Sequence, residues 1–167
     1  QHRHPLFSDC SGKHAGMLAA CALHGWRRDD YLDPQHPLQA EIRATVAAFC
    51  GVQDGRLAMG IDGCSAPNYA LPLASLAHAF ARLACGDDDA RWQGAPRRLR
   101  DAMATHPGLV SGAGHSDEKL MLAGGGDWIA KIGADGVQAV GVASRGLGIA
   151  VKVADGGWVP LAIGVVI

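Results

Sequence analysis

At 167 residues, a formal charge of −1 and 5 % aromatic residues, the chain can bury a core. It lacks the net positive charge that would steer it onto nucleic acid or anionic lipid, and it has few rings for bases to stack on. Five cysteines, an odd number with no CxxC pair, argue against a secreted disulfide framework and for a reducing cytoplasm. No run of about 18 apolar residues is present, so no membrane span is expected. The apolar WVPLAIGVVI at 158–167 is too short to cross a bilayer. A start at Gln1 reads as a fragment or a processed product.

Residues 14–25 repeat apolar side chains at helical spacing and end at Gly25, with Ser11 as the expected cap and Lys13 and His14 in the first turn. Residues 36–51 form a second amphipathic pattern, again closed by glycine. LAMGID at 57–62 reads as a short strand delivering Asp62, Gly63 and Cys64. A third helix is expected over 71–86, with Leu73, Leu76, Ala77, Phe80, Leu83 and Ala84 on one face. The charged stretch 86–94 reads as an exposed loop. A helix over 96–106 should stop at Pro107, and a short helix over 116–122 should open on a Ser116 cap with acidic residues in its first turn. WIAKIG, VQAVGVAS and LGIAVKVAD are strand-like runs separated by ADG and SRG turns, an antiparallel meander. The expected class is α/β (α+β), helices packed on a mainly antiparallel sheet, in a single domain over 1–167.

DCSGKHAGM at 9–17 concentrates a thiol, a hydroxyl, an amine and an imidazole. Its SGK lacks two defining residues of a phosphate-binding P-loop, with Phe7 and His14 at those positions. Cys10 and Lys13, three apart at a helix start, can share a face, and both the helix N-terminus and the ammonium favour a thiolate. The competing reading makes Cys10 a small buried hydrophobe and Lys13 a solvated charge. IDGCSAP at 61–67 supplies a second thiol beside a carboxylate, although two distant thiols do not by spacing alone make a metal site. Lys131 and Gly133 alternate onto one strand face, the arrangement of a lysine–glycine strand bordering some serine acyltransferase sites; a lysine protecting an edge strand is the plain alternative. Cys21, Cys50 and Cys85 read as packing residues. His24 and His106 complement helix C-termini, and His2 and His4 lie near a frayed end.

Taken together, DCSGKHAGML, DPQHPLQ, GIDGCSAPNYALPL and AKIGADGV resemble the asparaginase II family of rhizobial-type L-asparaginases, specifically its C-terminal part. The resemblance implies part of a fold similar to serine β-lactamases and glutaminases, and hydrolysis of L-asparagine to L-aspartate and ammonia. It implies zinc held by Cys10, Lys13 and Cys64, with His14 and Asp62 orienting shell and substrate, and Lys131 as the lysine of one serine–lysine pair. The serines would lie in an N-terminal part, so this piece alone is expected to be inactive. His115 stands where relatives usually carry arginine. A small-molecule substrate, no nucleic-acid or membrane partner, and a homodimer complete the expectation. A silent metal- or amino-acid-binding module and a Cys10-dependent hydrolase are the alternatives.

Overall fold

Glycines and prolines set most of the element boundaries. The computed structural model describes His4 and residues 8–157; His2, Phe7 and the apolar run 158–167 lie outside the described residues. Cα packing divides the chain into two units, residues 1–48 with 52–70, and residues 49–51 with 71–167.

In the first unit, α1 (Ser11–His24) is capped one residue earlier than expected. A turn in which Ser11 N–H donates to the Ser8 carbonyl precedes the helix, and Cys10 accepts its first bond, from His14 N–H at 3.0 Å. Cys10 is therefore the N-cap, and Ser11 enters the helix. At the other end Gly25 takes a left-handed φ of 67°, and Trp26 N–H closes onto the Cys21 carbonyl. α2 (Pro37–Cys50) starts on a proline that has no N–H to leave unpaired, while His36 Nδ1 accepts Leu38 N–H at 3.1 Å. Met17, Cys21, Leu38 and Ala66 form the buried cluster, with Trp26, Tyr31, Leu32 and Ile42 packed against it.

β1 (Ala58–Ile61) is the expected short strand, but it belongs to a two-stranded antiparallel hairpin. Its partner, β2 (Pro67–Ala70), was not visible in the sequence. It is four residues long and begins with proline, tolerated at a first strand position because no ladder donor is lost. Residues 62–66 form the loop, closed by Asp62 N–H on the Ala66 carbonyl at 2.9 Å.

The second unit holds α3 (Leu73–Cys85), α4 (Ala95–Thr105), the four-residue α5 (Gly108–Ser111) and α6 (Ser116–Ala123). They pack with an antiparallel meander of β3 (Trp128–Gly133), β4 (Val137–Val142) and β5 (Leu147–Lys152) in that spatial order. Asp135 and Gly136 both take positive φ, 54° and 69°, in the expected ADG turn. Met121, Ala130, Val140 and Val142 form the buried cluster. α3 lies so close to the sheet that a Cβ added at Gly148 would stand 1.7 Å from the Ala77 carbonyl oxygen. A Cβ at Gly141 would stand 2.4 Å from the Phe80 oxygen, and these two glycines are cross-strand partners.

Three local expectations need correction. Leu73 is exposed, because the surface of α3 that meets Gly141 and Gly148 is built from Ala77, Phe80, Ala81 and Ala84. Cys85, the last helical residue before the left-handed Gly86, is exposed rather than packed; Cys21 and Cys50 are buried as expected. His115, not Ser116, occupies the cap position of α6. The architecture is the expected α/β (α+β) class, helices with small antiparallel sheets.

Candidate active-site residues

The first turn of α1 and the β1–β2 loop bring four ionisable side chains of the first unit together. Lys13 Nζ lies 3.3 Å from Cys64 Sγ across 51 residues of sequence, and 3.6 Å from Asp62 Oδ2. One ligand atom each from Cys10, Asp62 and Cys64 lies within 4.8 Å of the others. The loop holds its shape through Ser65, at a φ of 69°, whose N–H donates to the Asp62 carbonyl, and through Gly63 N–H on Asp62 Oδ1. Helix capping explains the other half: with Cys10 at the N-cap, Lys13 follows within the first turn and reaches the same point.

The two thiols are not equivalent. Cys64 is lowered to about 7, first by a hydrogen bond from Ala66 N–H, then by His14, with Lys13 and Cys10 adding to it. Cys10 is raised, by burial first and then by its hydrogen bond to Cys64. Of the two, Cys64 is the thiol whose surroundings favour the thiolate. Burial pulls Lys13 down, but its hydrogen bond to Cys64 and the charges of Cys10, Cys64 and Asp62 together outweigh it and raise the amine. In metal-free protein, iodoacetamide is expected to alkylate Cys64 ahead of Cys10, with a rate midpoint at about pH 7. A midpoint at the ordinary thiol value would show that the loop donors do not act on the sulfur.

Sequence reasoning missed Tyr31. Its hydroxyl pairs with His14 Nδ1 at 2.7 Å, and the rings meet edge to face. Tyr31 thus anchors the ring of His14, whose side chain also hydrogen-bonds Cys64. No local pattern marks Tyr31; it reaches His14 through the fold of residues 26–36.

The donor set suits a metal ion. Two thiols, an amine and a carboxylate supply the sulfur, nitrogen and oxygen ligands of a tetrahedral shell, in which metal–sulfur bonds run about 2.3 Å. The 3.3 Å between the Lys13 amine and the Cys64 sulfur is a spacing that two ligands of one such centre can have.

Lys131 stands on β3 in the second unit, its side chain 46 % exposed. Its amine donates to Ser111 Oγ at 3.1 Å and to the Ile132 carbonyl at 2.7 Å. Nearby Asp117, wholly buried, accepts from the Ser111 hydroxyl, from Ile132 N–H at 3.0 Å and from the Gln138 amide at 2.9 Å. The sequence marks Asp117 only as one of the acidic residues in the first turn of α6. In the fold, Asp117 satisfies Ile132 N–H and a hydroxyl that serves Lys131. A hydroxyl beside Lys131 is thus present within this chain, a feature that the sequence alone did not reveal.

The model of the L-asparaginase II family matches residues 1–166. The chain belongs to that family. Family membership makes it an asparaginase-like amidohydrolase at family level, acting on a small molecule. No match was found among curated proteins. Among the described residues, no helix is long and apolar enough to cross a membrane.

Proposed function

We propose that this L-asparaginase II family chain carries the metal site and one catalytic lysine of an enzyme that hydrolyses L-asparagine to L-aspartate and ammonia. Support comes chiefly from one observation in a chain of this family: the Lys13 amine meets the Cys64 sulfur at 3.3 Å, beside Cys10 and Asp62. Cys10, Lys13 and Cys64 would hold zinc, which when bound supplies a Lewis-acidic anchor for the amino-acid substrate.

The chain's own residues divide the remaining work. Cys64, already lowered to about 7, gives up its proton most readily, whereas Cys10 and Lys13 hold theirs until an ion competes for them. Ligand binding therefore releases protons and weakens in acid. Asp62 keeps a carboxylate beside the cluster to orient the substrate's amino group, and His14 steadies the Cys64 sulfur. Lys131 moves the proton for a serine nucleophile in the intact protein, since amide cleavage requires a hydroxyl to be deprotonated and a leaving amine to be protonated.

The test is ammonia release from asparagine by the intact protein, with zinc measured in the same preparation. Asparagine-dependent ammonia with one zinc per chain supports the proposal. Stoichiometric zinc without ammonia would make the chain a silent metal- or amino-acid-binding module. Tyr31→Phe is expected to weaken zinc binding by about tenfold in chelator competition, the scale on which partners of a ligand shell act. Unchanged affinity would show that His14 needs no anchor.

A further inference from the structure

We infer that Ser111 is a positioning residue for Lys131, itself aimed by the buried carboxylate of Asp117. The inference rests on the reading of Lys131 as the proton-carrying lysine given above.

Four elements of the second unit converge here: α5 brings Ser111, α6 brings Asp117, β3 brings Lys131 and Ile132, and β4 brings Gln138. A serine hydroxyl has one proton, and Ser111 gives it to Asp117 Oδ2. That direction leaves only lone pairs toward Lys131, whose amine donates to Ser111 Oγ at 3.1 Å. The Ile132 carbonyl fixes a second N–H of the same amine at 2.7 Å. A lysine amine on a flexible four-carbon stem is otherwise free to sweep through many rotamers. Two acceptors in fixed directions restrict that sweep and set where its remaining hydrogen-bonding direction points.

The charge of Asp117 distinguishes this arrangement from a purely structural tie. Gln138, Ile132 N–H and Ser111 are neutral donors, and a neutral amide could have received some of them. A wholly buried carboxylate is costly unless a positive partner stands near. Lys131 Nζ, 3.6 Å from Oδ2, is that partner. The short α5, followed by Gly112 at a φ of 97°, holds Ser111 between the two charges.

The experiment compares wild type, Ser111→Ala and Ser111→Thr in the intact protein with two readouts. One is the rate at which Lys131 is reductively methylated by formaldehyde and a borohydride, followed by peptide mass spectrometry. The other is kcat and KM for ammonia release. Ser111→Ala should label Lys131 about fivefold faster, the equivalent of one lost hydrogen bond. Its kcat should fall about 10–100-fold with KM little changed, as for a displaced catalytic group. Ser111→Thr, which keeps the hydroxyl, should restore both. Equal labelling in wild type and Ser111→Ala would overturn the inference. Faster labelling with unchanged kcat in an active enzyme would overturn its catalytic part. Faster labelling with no ammonia from any variant, wild type included, would support the positioning and instead remove the asparaginase reading.

Discussion

Lys131→Ala is expected to slow ammonia release from asparagine by about 10³-fold in the intact protein, within the range that positioned acid–base groups supply. Some stability should be lost with it: the side chain is nearly half exposed, but its truncation takes the positive partner from the buried Asp117 carboxylate, 3.6 Å away. The fold should persist, because Asp117 still accepts from Ser111, Ile132 N–H and the Gln138 amide. Circular dichroism and thermal melting would verify this. The loss should fall on kcat rather than on metal content, since Lys131 is not among the proposed zinc ligands. Turnover near wild type would remove Lys131 from the mechanism, whatever the metal does.

The second large effect concerns stability. Gly148→Ala would place a methyl carbon 1.7 Å from the Ala77 carbonyl oxygen and 2.8 Å from Ala81 N, both backbone atoms of α3. Neither atom can swing aside as a side-chain tip could, so helix and sheet must separate. Overpacking of well-packed interiors commonly costs about 1–3 kcal/mol, and a backbone clash belongs at the upper end. A loss of about 3 kcal/mol would lower Tm by about 10 °C. The same substitution at Gly16, an exposed position of α1 with no atom near its absent Cβ, is expected to stabilise by about 0.5–1 kcal/mol. Equal melting temperatures for the two variants would contradict the close packing of α3 on the meander.

The longer helices and the meander were legible because their apolar periods are bounded by turn residues that act locally. Gly25, Gly86 and the Asp135–Gly136 pair each take the left-handed backbone that their positions demand. Caps were less legible. Ser11 and Ser116 have the right chemistry, but the turns preceding them move the boundary to Cys10 and His115. β2 and α5 are four residues each, too short for a period to show.

Within the candidate site, Cys10, Lys13, Asp62, Cys64 and His14 were named through family resemblance, and the fold brings them within reach of one another. Their inequality was hidden, because what lowers Cys64 is first a backbone N–H in its own loop. Ser111 was hidden for another reason. It lies 20 residues from Lys131, and no periodicity links a one-turn helix to a strand so far along the chain. Asp117 looked like any acidic residue in a first helical turn, where only burial separates a dipole partner from an internal anion.

The contact between Lys13 and Cys64 joins the start of α1 to the loop that ends β1. Under the proposed reading, an ion gripped from both sides would tie a long segment of backbone into a ring. Such a clasp restricts the unfolded chain more than the folded one, as any cross-link over a long loop does. The residues that prepare the reaction would then also help to keep the first unit folded, where, among the described residues, Met17, Cys21, Leu38 and Ala66 make up a small buried cluster.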